Sequence, residues 1–313
     1  MSYTYSLSDV TRNDQNKTGD KAAHLGELIH AGFDVPPGFC VSAAAYHDGV
    51  AAPLNEKIIA RIAASEIDDP VELESVAEDI RSWIENAPMP AALVDEICGA
   101  MNAFKSKSFA VRASRIVEDV PNPAASGLQQ AYLCVVGIDN VLKNIRQCWA
   151  SPWNSRAIYF RHRKKMDQRQ VTMAVVVQPM IEAEAAGVMF TANPLTVAVD
   201  EIHSDATWGL GEAVIAARWK PDHFVVGKND LAIRSRTIPT KSVMDVVSAD
   251  GTMQTIAVTQ DKQEAACLND AQVVALAALG KQVETHFNRP QDIEWCRVGD
   301  KISLLQTRPL KKR

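Results

Sequence analysis

Apolar residues recur at helical spacing through most of the first half of the chain. Four stretches have this spacing and stand next to turn or capping residues, which predicts helices. The first predicted helix covers residues 19–31, and the second begins at Asp69 and Pro70. The third covers residues 91–105, and the fourth begins after a cap at Asp139. Short apolar runs at residues 40–41 and 108–112 predict strands. We therefore expect the first half to be rich in helix.

The pattern changes from helical to strand spacing near residue 172. Residues 173–181 are almost continuously apolar, as in a strand that is buried on both faces. Further strands are predicted at residues 187–191, 201–204 and 224–226. A long helix from Asn269 and a closing hairpin of residues 292–298 and 302–306 follow. This order predicts an α+β fold in two lobes, residues 1–180 and 181–313.

Polar side chains of the closing hairpin are predicted to face one another. We take residues 299–301 as the connecting loop. The resulting register places Glu294 opposite Gln306. Two residues farther along the strands, the same register places Asp292 opposite Arg308. Strand side chains alternate, so all four project from one face. A carboxylate and an amide oxygen suit Mg²⁺, and an arginine can hold phosphates; the alternative is a solvent-facing polar hairpin.

Two cations in the first half stand where proteins commonly bind phosphate. Lys21 follows Gly19 and Asp20 at a helix start, where free N–H groups and the helix dipole attract anions. Arg112 ends an apolar strand, where a planar charged group needs a partner. Each has a plainer interpretation: Lys21 as solvated surface, and Arg112 as the partner of a nearby carboxylate, Glu118 or Asp119.

Composition and charge narrow the class of protein. Of the 313 residues, 47% are hydrophobic and 23% are charged, as in globular proteins, and no apolar run approaches the roughly 18 residues of a membrane helix. The net charge of −5 argues against general binding to nucleic acid or to acidic membranes. The start of the chain does not have the pattern of a signal peptide, so we expect a cytoplasmic protein. The six cysteines are scattered and form no C-x-x-C pair, which argues against a zinc site or a redox-active dithiol.

Several motifs together carry a resemblance to a known family. They are Gly-Asp-Lys-Ala-Ala-His-Leu-Gly-Glu-Leu (19–28), Phe-Ala-Val-Arg-Ala-Ser (109–114) with Glu118, Asp119 and Gly127, Met-Ala-Val-Val-Val-Gln-Pro-Met (173–180), Gly-Val-Met-Phe-Thr-Ala-Asn-Pro (187–194), Trp-Gly-Leu-Gly-Glu (208–212), Asp-Ile-Glu-Trp (292–295) and Gln-Thr-Arg-Pro (306–309). In this order they resemble the ATP-binding domain of the phosphoenolpyruvate synthase, pyruvate phosphate dikinase and rifampicin phosphotransferase superfamily. The resemblance runs from about residue 17 to residue 310.

The resemblance implies an ATP-grasp fold in two lobes, with the ATP site between them. The residues that it assigns to ATP and its metal are Lys21, Arg112 and Arg308 as the catalytic cations that bind the phosphates, Gly127 in the phosphate loop, Gln178 near the adenine, and Glu294 and Gln306 as ligands of Mg²⁺. In the family, a histidine on a swivelling domain attacks the β-phosphate and later phosphorylates a small-molecule acceptor. Metal and cations serve this reaction because charge spreads over the phosphoryl oxygens.

Two departures from the family pattern qualify this expectation. None of the seven histidines stands in the family's Thr/Ser-His-Ala context. We therefore expect a histidine-bearing domain or subunit as a partner, as in phenylphosphate synthase, and release of AMP. The phosphate loop reads Gly127, Leu128, Gln129, Gln130, Ala131, where the family usually has Gly-Gln-Gln-Glu/Asp-Thr. The alternatives are a nucleotide-binding module without catalysis and a ligase that forms ADP.

Overall fold

The computed structural model describes residues 2–116, 130–196, 198–215 and 218–310. These residues form two compact units, Met1–Gly26 with Pro37–Met180, and Glu27–Pro36 with Ile181–Arg313. Each unit combines helices with antiparallel strand pairs, which confirms the α+β class. No helix within the described ranges has the length and apolar character needed to cross a membrane.

The first unit is built on a five-stranded sheet. Its strands are β1 (Thr4–Ser6), β2 (Phe39–Val41), β3 (Ser108–Arg115), β4 (Ala131–Val136) and β5 (Met173–Pro179), in the spatial order β1-β2-β5-β3-β4. The helices of this part of the chain are α1 (Gln15–His30), α2 (Ala43–Tyr46), α3 (Ala52–Ala63), α4 (Pro70–Glu85), α5 (Ala91–Asn102), α6 (Ile138–Ala150) and α7 (Ser155–Arg163). The helices predicted from the apolar pattern are therefore all present.

Helix starts in the first unit show where local sequence signals are reliable. The Asp69 side chain accepts the N–H groups of Val71 and Glu72, as predicted for the cap of α4. The prediction of a cap at Asp139 was wrong. Gly137, with φ 80°, is the N-cap of α6, and Asp139 lies in the first turn. A carboxylate there still suits the positive end of the helix dipole, which explains why the two positions look alike in sequence.

The second unit is built on a six-stranded sheet. Its strands are β6 (Ala185–Phe190), β7 (Glu201–Trp208), β8 (Asp222–Gly227), β9 (Ile233–Thr237), β12 (Gln291–Val298) and β13 (Lys301–Pro309), in the order β13-β12-β6-β7-β8-β9. The remaining elements are a separate pair, β10 (Val243–Val247) and β11 (Met253–Ala257), and the helices α8 (Glu212–Ile215), α9 (Gln260–Gln263) and α10 (Asp270–Phe287). One apolar cluster joins α10 to one face of the large sheet.

Three strands of the second unit were not predicted, namely β9, β10 and β11. Four of the five residues of β9, and four of the five in β11, are exposed. Both strands therefore lack the regular apolar alternation on which strand prediction depends. The strand β9 lies at the edge of its sheet, and the charged residues Arg234 and Arg236 protect such an edge from unwanted pairing.

The closing hairpin has the predicted register at its polar positions but not the predicted loop. Val298 pairs with Lys301, so the loop has two residues rather than three. The register then shifts between Glu294 and Trp295, and Leu305 is the extra residue of a β-bulge. Because the bulge makes up for the shorter loop, Glu294 still pairs with Gln306.

Candidate functional site

One face of the first sheet carries the predicted phosphate and adenine residues of this unit. On β3, Phe109, Val111 and Ala113 belong to the apolar core, so the alternate residue Arg112 lies on the other face. Arg112 pairs with Val176, and Gln178 follows two residues later on the same face of β5. Arg112 is 7% exposed and Gln178 is 3% exposed. The structure therefore brings these two predicted residues together on neighbouring strands.

Lys21 is held near this strand by a backbone clamp. Gly19 interrupts α1 with φ 77°, and a Cβ at this position would overlap the carbonyl oxygen of Ser114. The Ser114 hydroxyl donates to the carbonyl of Thr18 at 2.8 Å and accepts the N–H of Ala22 at 3.2 Å. These bonds fix the backbone on either side of Lys21, which is only 4% exposed. Ser114 was not predicted as a functional residue, although it ends the Phe-Ala-Val-Arg-Ala-Ser motif.

The position of Ala131 gives structural meaning to the departure in the phosphate loop. Ala131 is the register partner of Arg112 across β3 and β4. A threonine here would place a hydroxyl beside the strand position of the arginine, and alanine does not supply it. Gly127 and Leu128, which precede this strand, lie outside the described residues. The role of Gly127 stays a prediction.

In the second unit, one face of the closing hairpin collects the other predicted residues. Ile293 and Trp295 belong to the apolar cluster, so Asp292 and Glu294 lie on the opposite face of β12. Arg308 donates from Nε and from Nη2 to the same oxygen of Asp292, each at 2.8 Å. Glu294 is half-buried, and its partner Gln306 is 4% exposed.

The burial of these polar groups argues against the solvent-facing alternative for the hairpin. Asp292 and Gln306 are both buried, and buried polar groups require partners. Glu294 and Gln306 present a carboxylate and an amide oxygen, which are the donor types that Mg²⁺ takes. No group of three or more His, Cys, Asp or Glu side chains suited to a metal ion occurs among the residues that the structure describes. The hairpin pair would therefore fit Mg²⁺ only if phosphate oxygens or water supplied the other ligands.

The predicted site residues are divided between the two units. Lys21, Arg112 and Gln178 belong to the first unit, whereas Glu294, Gln306 and Arg308 belong to the second. Within each unit the predicted residues share one sheet face or its adjoining helix start. Their convergence on one nucleotide stays a prediction.

A second polar cluster on the large sheet was missed by sequence reasoning. It lies on the face opposite the apolar cluster and consists of Glu201, His203 and Asp205 on β7 and His223 on β8. Asp205 Oδ1 and His223 Nδ1 are 2.7 Å apart, and this bond raises the pKa of His223 above its usual value. His203 Nε2 lies 3.2 Å from Glu201. The alternation of charged residues in β7 was the available signal.

Comparison with known proteins identifies the family. The pyruvate phosphate dikinase AMP/ATP-binding domain matches residues 15–313. The chain is 33% identical to phosphoenolpyruvate synthase of Pyrococcus furiosus, over 97% of this chain and 43% of that protein. It is 35% identical to a probable phosphoenolpyruvate synthase of Methanocaldococcus jannaschii, over 99% of this chain and 27% of that protein. It is 33% identical to rifampicin phosphotransferase of Bacillus subtilis, over 97% and 35%.

The chain spans less than half the length of these relatives, so the similarity concerns one part of each of them. That part covers nearly all of the present chain, including every motif on which the resemblance was based. The chain belongs to the family of pyruvate phosphate dikinase AMP/ATP-binding domains.

Proposed function

We propose that the chain is the Mg-ATP-binding component of a dikinase-type phosphotransferase. In this function, a histidine on a separate domain or subunit takes the β-phosphoryl group of ATP and AMP is released. The phosphohistidine then phosphorylates a small-molecule acceptor bound elsewhere. An ATP-grasp fold, with lobes at residues 1–180 and 181–313 and one nucleotide shared by both, is part of the proposal. The family membership and the names of the relatives support it.

The paired polar residues of the closing hairpin are the observation that carries the proposal. Glu294 faces Gln306, and Asp292 binds Arg308, on the sheet face that the apolar cluster leaves uncovered. An acid–amide pair beside an arginine supplies oxygen donors for Mg²⁺ and a planar cation for phosphate. A hairpin with only a structural role would not need three buried or half-buried polar side chains in this register.

Each remaining residue has a role that follows from its chemistry. Lys21 and Arg112 neutralise phosphate oxygens as negative charge develops on them, since both are buried cations. Gln178 offers an amide for the adenine from an apolar strand. Glu294 and Gln306 would hold Mg²⁺, which would supply positive charge to stabilise the negative charge that builds up during transfer.

The experiment has two steps. Calorimetry with ATP and Mg²⁺ should show binding to the chain alone that weakens when Mg²⁺ is removed. The nucleotide products should then be measured after addition of a histidine-bearing partner domain or subunit. AMP is the expected product, and formation of ADP alone would contradict transfer of the β-phosphoryl group.

A second candidate function is a nucleotide-binding module without catalysis. The observation that favours it is Ala131, which stands opposite Arg112 in place of the family's threonine. Binding of Mg-ATP without any turnover in the presence of the partner would support this alternative.

A further inference from the structure

The polar cluster of β7 and β8 shares a sheet face with the proposed metal ligands. Across the sheet, Glu294 pairs with Val188, Val188 pairs with Asp205, and Asp205 pairs with His223. These four residues form one row, and paired residues in a row project to the same side. Asp205 and His223 therefore lie on the face that carries Glu294, within the second unit alone.

Asp205 fixes the imidazole of His223 in one chemical form. A carboxylate oxygen 2.7 Å from Nδ1 accepts a hydrogen bond from the Nδ1–H group, so the neutral ring carries its lone pair on Nε2. The side chain of His223 is 39% exposed, which leaves the ring accessible to a reacting group. A histidine oriented by a carboxylate in this way is the usual form of a general base.

His223 stands apart from the proposed metal ligand on this face. Three strand spacings of about 4.8 Å place the backbone of His223 roughly 14 Å from that of Glu294. The two residues are therefore too far apart to hold the same atom, and His223 is separate from the proposed metal ligands.

We infer that Asp205 and His223 form a general-base dyad that takes the proton from the nucleophile attacking bound ATP. The inference rests on the proposed function, because it requires ATP beside Glu294. The nucleophile is the imidazole of the histidine-bearing partner in the full reaction, and water when the chain acts alone.

The proton and the electrons of this step balance without another reactant. The lone pair of the nucleophile forms a bond to phosphorus as the bond from phosphorus to the leaving oxygen breaks. The leaving oxygen keeps that electron pair, and the proton of the nucleophile passes to Nε2 of His223. Asp205 stabilises the imidazolium that results, and solvent then removes the proton. With water and the terminal phosphoryl group, the products are ADP and inorganic phosphate.

The neighbouring pair has a different character. His203 shares the face, and its ring centroid lies 5.5 Å from that of His223. Its side chain is only 12% exposed, and its bond to Glu201 is longer, at 3.2 Å. His203 is therefore less accessible to a reacting group than His223, so we assign the reacting nitrogen to His223.

The test is hydrolysis of Mg-ATP by the chain alone, followed as phosphate release across a range of pH. Wild type should hydrolyse ATP slowly, and His223→Gln should lower the rate by roughly 100-fold. Asp205→Asn should lower it by a similar or smaller factor. The matched control is His286→Gln, because His286 also has a carboxylate partner, Glu27 at 2.8 Å, but lies on α10. It should leave the rate unchanged.

The pH dependence and chemical rescue separate a base from a structural histidine. Among the described residues, the charged and titratable groups on the face of His223 include Asp205, His203 and Glu201 on β7 and, farther along the sheet, Asp292, Glu294 and Arg308 on the closing hairpin. The β9 partner of His223 is Thr237. Since the basic form of His223 is required, the wild-type rate should rise with pH to half its maximum above pH 6.5. The rising limb should be absent in His223→Gln. Added imidazole should restore activity to His223→Ala.

Calorimetry with Mg-ATP on every variant distinguishes this inference from the proposed function. Unchanged binding with a lost rate supports the dyad. If wild type binds Mg-ATP but shows no hydrolysis, or if His223→Gln hydrolyses it at the wild-type rate, the inference is wrong and the proposed function stands. If wild type does not bind Mg-ATP, both are wrong.

Discussion

The two sheets hold their candidate site residues by different physical means. In the first, the segment that carries Lys21 is fixed to β3 by a glycine with positive φ and by the two bonds of Ser114. In the second, Glu294 and Gln306 face each other because of strand register and a bulge. The first arrangement requires that residue 19 has no Cβ atom. The second requires that the strands keep the register that pairs Gln306 with Glu294. The two should therefore fail under different substitutions.

The largest effect is expected from Gly19→Ala. The added methyl group would overlap the Ser114 carbonyl, and alanine at φ 77° is strained besides. We expect Mg-ATP binding to disappear and thermal stability to fall by more than the roughly 1–2 kcal/mol that positive φ alone costs. Gly32→Ala is the matched control, since φ is 82° there but no atom lies within 4 Å of the added carbon. Equal losses in both variants would show that the clamp is unimportant.

The next effect is expected from Glu294→Gln. The substitution keeps the size of the side chain but removes the negative charge that would face Mg²⁺. We expect the affinity for Mg²⁺ in the presence of ATP to fall by roughly 100-fold, because ligand charge governs affinity for a hard cation. Asp300→Asn, in the exposed loop of the same hairpin, should change nothing. Calorimetric titration of Mg²⁺ would decide, and a wild-type affinity in Glu294→Gln would remove this residue from the metal site.

A smaller gain is expected from Ala131→Thr. The new hydroxyl would stand beside the strand position of Arg112. One added hydrogen bond should strengthen ATP binding by about 1 kcal/mol, or several-fold. Ala131→Val has a similar shape without the hydroxyl and should bring no gain. An equal gain in both variants would assign the effect to packing instead of hydrogen bonding.

The smallest effect concerns stability and pH in the second sheet. The pKa of His223 is raised in the folded protein by its bond to Asp205. The stabilisation is therefore complete below the unfolded value, near pH 6.5, and is lost as pH rises through the higher folded value. Because His223 is partly exposed, we expect its bond to Asp205 to add only about 0.5 kcal/mol to the free energy of unfolding. Denaturant unfolding of wild type and His223→Gln should differ more at pH 6 than at pH 9, and a constant difference would contradict the assignment.

The sequence predicted the long elements well because their signals are local. The cap of α4 and the apolar stripe of α10 each depend on residues a few positions apart. The strands β9 and β11 were missed because their side chains are mostly exposed, so the apolar alternation that identifies a strand is absent, although each pairs with the strand that precedes it in the chain.

The candidate site shows the same division between local and distant information. Arg112 and Glu294 could be chosen from their own surroundings in sequence. The Ser114 clamp could not, because it joins residues 92 to 96 positions apart. The pairing of Asp205 with His223 likewise depends on the alignment of two strands, which the separate segments do not reveal.

The bulge at Leu305 separates turn length from side-chain orientation in the closing hairpin. If the pairing of Val298 with Lys301 continued without a bulge, Leu305 would stand opposite Glu294, and Gln306 would stand opposite Ile293 on the face that packs on the core. Deleting Leu305 alone removes the extra residue and leaves Gln306 opposite Glu294. The acid–amide pair can therefore be kept in protein engineering either with the bulge or in a regular hairpin that lacks Leu305.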